Sequence, residues 1–145
     1  MSFVSCSSCV EWGDMDIFMD FKIGMVGIAQ TTVDSTNTAK EMGSGALEVF
    51  ATPAMVSLME KAATIAIQES LSKECSTVGT MINIRHIAAT PLGMNVSARA
   101  TLAEVDGKKL IFTVEAFDER EKIGEGQHER FVINIDRFMD KTNKK

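Results

Sequence analysis

The hydrophobic residues of this chain follow a helical period once, and alternate almost everywhere after that. The helical stretch is TPAMVSLMEKAATIAIQESLSKE, residues 52–74. Within it Met55, Leu58, Met59, Ala62, Ala63 and Ala66 recur at three- and four-residue spacing. That spacing predicts an amphipathic helix of about five turns. Thr52 is the expected N-cap, and Pro53 suits the first helical position. The apolar face is made of Ala and Met rather than Leu and Ile, which suits a helix lying close against a sheet.

Beyond the helix the period changes to two, and four strands are expected over about 77–90, 94–106, 109–119 and 122–136. The Asp-Gly pair in VDGKK (105–109) marks a tight hairpin, and the polar DEREK (118–122) a second turn. Pro91 and Gly93 separate the first two of these strands. Before the helix, IGMVGIAQTTV (23–33) is β-prone, the Ser-, Thr-, Asn- and Gly-rich stretch 34–45 reads as a loop, and ALEVFA (46–51) as a short strand. The fold class is therefore α+β, with one long helix covering the apolar face of a mostly antiparallel sheet of about five strands. Strands this long would wrap around the helix, which is the hotdog arrangement; its rivals on pattern alone are other single-helix sheet folds.

A chain of 145 residues suits one domain, expected over 21–140, with an N-terminal extension at 1–20 and a basic tail at 141–145. The net charge of −5 leaves no surplus of Lys and Arg to neutralise phosphates, so nucleic acid is not an expected partner. No apolar run reaches the ~20 residues that span a bilayer. The first twenty residues lack the basic and apolar segments of a secretory signal, so a cytoplasmic protein is expected. Cys6 and Cys9 form a C-x-x-C pair, but a structural zinc site needs two further ligands, and Cys75 stands alone. No metal and no cofactor are expected.

Three polar residues sit where the apolar pattern does not call for them. His86 shares a strand face with Ile82, Ile84 and Ala88, which suits a core histidine or a catalytic one. Glu60 lies beside Val56, Ala63 and Ile67, at the border of the helix's apolar face. It is either solvated or, if partly buried, a base or nucleophile. Thr52 is either a simple cap or a hydroxyl offered to a ligand at a helix start.

The segments EVFATPAMVSLMEKAA (48–63), GTMINIRHIAATPLGMNV (79–96), EVDGKKLIFTVEAFDE (104–119) and IGEGQHERFVIN (123–134) occur in that order. Together they resemble the fluoroacetyl-CoA thioesterase family of hotdog proteins over roughly residues 23–138. The most specific parts are ATPAMVSLMEKAA and the R-H-[IL]-A-x-T-P-x-G pattern that begins at Arg85. The resemblance implies a catalytic set of Thr52, Glu60 and His86, with Gly79 and Arg130 near the substrate. It also implies an acyl-CoA substrate and a homodimer with active sites at the subunit interface; a tetramer is a further assembly that the sequence leaves open. In that family the fluoroacetyl-specific enzyme closes its site with a lid that carries phenylalanines. The corresponding loop, Ser35 to Ala46, has no aromatic residue. The expected substrate is therefore a short or medium acyl-CoA, hydrolysed to free acid and CoA. A non-catalytic acyl-CoA-binding module is the alternative.

Spacing constrains this set. Thr52 and Glu60 are eight residues apart on one helix, which separates them by about 12 Å. They cannot hydrogen-bond within one chain, so a shared thioester requires a second subunit. His128 shares a face with Gly126 and Arg130 and reads as a surface or interface residue, or a contact for CoA. Arg130 is expected to pair with a phosphate or carboxylate, or with Glu125.

Overall fold

The computed structural model describes residues 9–11 and 18–145. Strands β1 (Cys9–Glu11) and β2 (Phe18–Asp20) form a small antiparallel ribbon. Five longer strands follow: β3 (Val26–Thr32), β4 (Cys75–His86), β5 (Asn95–Asp106), β6 (Lys109–Phe117) and β7 (Lys122–Asn134). They form one antiparallel sheet in the order β3-β5-β6-β7-β4. A one-turn helix, α1 (Ala39–Met42), precedes the long helix α2 (Thr52–Ile67), and α3 (Ile135–Asn143) closes the chain. The sheet curls around α2, so the expected hotdog plan is the observed one. The cysteine pair expected not to bind metal falls mostly outside the described residues, since Cys6 is not among them.

The buried residues of α2 are Met55, Leu58, Met59, Ala62, Ala63 and Ile67. They meet Ala98, Ala100 and Leu102 of β5, Leu110, Phe112, Val114 and Ala116 of β6, and Ile123 and Val132 of β7 in one core. Small residues at the contact bring helix and sheet close together. Gly27 of β3 marks the tightest point: a Cβ there would fall on the Ala62 carbonyl oxygen and the Ala66 backbone. Met19 and Phe21 are buried as well, so core residues begin before the position where the pattern becomes regular.

Several boundaries differ from expectation. The stretch 34–45 holds α1, capped by the Thr38 side chain, which accepts from the Glu41 N–H. ALEVFA contributes only two isolated bridges, Val49 to Pro91 and Phe50 to Thr38. The last strand ends at Asn134, whose side chain accepts from the Arg137 N–H and starts α3. Part of the expected tail is thus helical. The Asp-Gly signal is met by a two-residue hairpin in which Gly107 has φ +61°. No helix among the described residues is long and apolar enough to cross a membrane.

Two features of β4 matter for the site. It is an outermost strand of the sheet. Its register with β7 also slips between Gly79 and Met81, leaving Thr80 as a bulge.

Candidate active site

Thr52 is not the N-cap. Ala51 takes that place, with extended backbone (φ −74°, ψ 142°) and a carbonyl that accepts from the Met55 N–H at 3.0 Å. Thr52 is the first helical residue. Pro53, which has no N–H to satisfy, lowers the demand for a side-chain cap. The Thr52 hydroxyl is left for another partner. It lies 2.7 Å from Nδ1 of His86, at the end of β4.

Around this pair runs a cleft of about 330 Å³ whose walls include Ala39, Val49, Phe50, Thr52, His86 and Ala88. Ile84 and Ala88, on either side of His86, pack against the core. The other ring nitrogen of His86, Nε2, is buried and has no hydrogen-bond partner among the described residues. Burial pushes the imidazole below its ordinary value, and the Ala88 backbone partly offsets this. The ring is therefore neutral at pH 7 and able to accept a proton.

Glu60 belongs to a second cluster. Its side chain is 41 % exposed and points toward the β4 bulge and β7. Arg130 Nη1 donates to Glu60 Oε2 at 3.3 Å. The rest of that guanidinium is anchored: Nε donates to Thr77 Oγ1 at 2.8 Å and Nη2 to the Thr77 carbonyl at 3.0 Å. Nη1 also lies 3.1 Å from Nε2 of His128. Burial pushes the Arg130 guanidinium down from its ordinary value, and Glu60 works against that shift. Gly79 leaves the space these groups occupy. A Cβ there would come within 2.6 Å of Glu60 Oε2, 3.2 Å of His128 Cε1 and 3.3 Å of Arg130 Nη1.

Within one chain, then, Thr52 and His86 come together, whereas Glu60 joins Gly79 and Arg130. The expected surface position of His128 is wrong: it is 1 % exposed and faces inward. The signal lay in its alternation with Arg130 and the apolar Val132, all three buried on one face of β7. Arg130 does not pair with Glu125 either, because Glu125 lies on the opposite face and meets Lys122 at 2.6 Å. Thr77, which fixes Arg130, gave no signal in the sequence beyond its strand propensity.

Residues 33–136 match the model of a family described as fluoroacetyl-CoA-specific thioesterase. The span includes both clusters. The chain belongs to this family. It is 43 % identical over 98 residues to the fluoroacetyl-CoA thioesterase of Streptantibioticus cattleyicolor, covering 68 % of this chain and 70 % of that protein. A crystal structure of a fluoroacetyl-CoA thioesterase matches with a TM-score of 0.81 and 34 % identity, over 86 % of this chain and 97 % of the other. A hot-dog-like protein from Thermanaerovibrio acidaminovorans matches with a TM-score of 0.78 at 23 % identity, over 86 % of this chain and 92 % of that one, which speaks for the fold alone. Membership of the thioesterase family makes the chain a thioester hydrolase.

The two imidazoles set a pH dependence. His86 and His128 are both held below their ordinary values, by burial first. The unfolded chain therefore takes up protons before the folded one does as pH falls below about 6.5. Their contribution to stability is complete above that value and is lost as pH drops through the folded pKa values. Thermal melts are expected to give a constant Tm between about pH 7 and 8 and a falling one below about 6. A Tm that rises on acidification over that range would contradict the assignment.

Proposed function

We propose that the chain hydrolyses a short or medium acyl-CoA to the free acid and CoA, at a site built from two copies of the chain. One copy supplies Thr52 and His86, and the other supplies Glu60. The observation that carries this reading is the division of the three residues. Thr52 and His86 share a 2.7 Å hydrogen bond, while the Glu60 carboxylate is held by Arg130 in a separate cleft. Both clefts draw on β4, whose outer edge has no strand neighbour among the described residues. An unpaired edge invites a second copy of the strand, and a two-fold axis there would bring each half-site to its complement.

The roles follow from the groups. Glu60 is the anionic group: it attacks the thioester carbonyl carbon, or it removes a proton from a water that does so. The C–S bond breaks and CoA leaves as thiolate. In the first case the acyl group passes to the Glu60 carboxylate as a mixed anhydride, which a water then hydrolyses, neutral His86 taking that water's proton and delivering it to the thiolate; in the second, Glu60 takes the water's proton and the thiolate receives it through His86. Thr52 fixes the imidazole through Nδ1, leaving Nε2 directed at the reacting groups. A backbone N–H near the Gly79–Thr80 bulge stabilises the developing oxyanion. The walls of the Thr52–His86 cleft include Ala39, Ser44, Ala88 and Ala89, side chains small enough to admit more than a two-carbon acyl group.

The test is a series of straight-chain acyl-CoAs from acetyl to decanoyl, followed by thiol release. Turnover is expected to peak at a short or medium chain. Tight binding across the series without release of CoA would instead make this a binding module.

A further inference from the structure

We propose that His128 is a positioning residue for the hydrolysis: as a neutral Nδ1–H tautomer it orients Arg130, which in turn holds Glu60. The inference rests on the reading of Glu60 as the reacting carboxylate. Its basis is hydrogen-bond accounting around one buried ring. His128 Nδ1 lies 2.8 Å from the Met81 carbonyl oxygen, which can only accept, so Nδ1 carries the proton. Nε2 lies 3.1 Å from Arg130 Nη1, which can only donate, so Nε2 presents its lone pair. One tautomer satisfies both, and it is neutral. An imidazolium would turn an N–H toward the guanidinium's own N–H groups.

The same accounting decides the nature of the His128–Glu60 approach. Nε2 and Glu60 Oε2 are 3.9 Å apart, a separation at which an ion pair would be conceivable. A lone pair already engaged by Arg130 cannot donate to the carboxylate, so the two are not an ion pair. Both touch the same guanidinium nitrogen. His128 accepts one of the Nη1 hydrogens and thereby directs the other at Glu60 Oε2. Thr77 fixes the opposite end of the guanidinium, and Phe112 lies against the imidazole with ring centroids 6.3 Å apart. The Met81 carbonyl that holds the ring directly follows the Thr80 bulge, so the irregularity in β4 is what brings it to His128.

Two substitutions separate this role from mere core filling. His128→Gln keeps a carbonyl oxygen to accept from Arg130, whereas His128→Asn keeps a donor for Met81 but is too short to reach Arg130. Positioning predicts that His128→Gln stays within a few-fold of the parent. His128→Asn is expected to lose kcat by about 10- to 100-fold with KM little changed, the effect of misplacing one reacting group. Equal kcat for the Asn and Gln variants, at equal Tm, would overturn the proposal. A readout independent of turnover is the ¹⁵N pattern of the imidazole: a neutral Nδ1–H ring is expected at pH 7, and an Nε2–H ring or an imidazolium would overturn it. Glu60→Gln separates the two layers. Full activity in that variant would sink the reading of Glu60 as the reacting carboxylate, and the positioning role with it. An inactive Glu60→Gln beside a fully active His128→Asn would sink the positioning role alone.

Discussion

Glu60→Gln is expected to lower kcat/KM for acyl-CoA hydrolysis by about 10³-fold, within the range set by removing a carboxylate that attacks or acts as base. The substitution is nearly isosteric, and its amide oxygen can still accept from Arg130. Four of the guanidinium's five N–H groups are engaged, only one of them by Glu60, so the arginine keeps its anchors on Thr77 and His128. The carboxylate is 41 % exposed, so the charge lost is partly screened and the stability cost is small, about 1 kcal/mol. Activity should therefore collapse while Tm hardly moves. A Glu60→Gln enzyme with near-parental turnover would remove the carboxylate from the mechanism.

The same variant tests the shared site. Thr52→Ala is expected to be inactive on its own. After unfolding and refolding an equal mixture of the two, half the dimers are mixed and each has one intact site, so about a quarter of the parental activity should return. Failure to recover activity, with mixed dimers demonstrated by mass, would rule out a site divided between subunits.

The second large effect concerns the fold. Gly27→Ala is expected to destabilise the protein by about 3 kcal/mol, at the upper end of ordinary over-packing. The reason is that the added methyl meets backbone, not a side chain that could rotate away. The Ala62 carbonyl and the Ala66 amide belong to the last turn of α2, so relief requires that end of the helix to lift from β3. Lifting it would open the core around Ala62 and Ala63, both buried without exposure. For a chain of this size the loss should appear as a fall in Tm of roughly 10 °C. Melts at fixed protein concentration would measure it, and a change under about 1 kcal/mol would show that helix and strand are not in the described contact.

Much of the fold was legible because each element declares itself locally. The Ala- and Met-rich helix and the four alternating strands stand within a few residues of where the periodicity puts them. The hairpin at Gly107 follows from a dipeptide that tolerates positive φ. The misses share a cause. α1 and α3 are short and polar, and their caps (Thr38 and Asn134) become evident only when the neighbouring backbone is in place. Thr52 reads as a cap in the sequence because a threonine before a proline looks the same whether its hydroxyl turns back to the helix or outward to a histidine 34 residues away.

The site divides along the same line. Residue type and position mark Thr52, Glu60 and His86 as departures from the apolar pattern, and the resemblance to the thioesterase family makes them one set. Sequence also fixes that Thr52 and Glu60 lie too far apart along one helix to meet. Only the folded chain decides who the partners are, because hydrogen bonds join strands by register and not by sequence distance. Past the β4 bulge Met81 lies opposite Glu129 with its carbonyl 2.8 Å from the His128 ring, and the pairing of β4 with β7 brings Thr77 to Arg130. That register turns a histidine that looked like a surface residue into the buried, neutral ring beside the carboxylate.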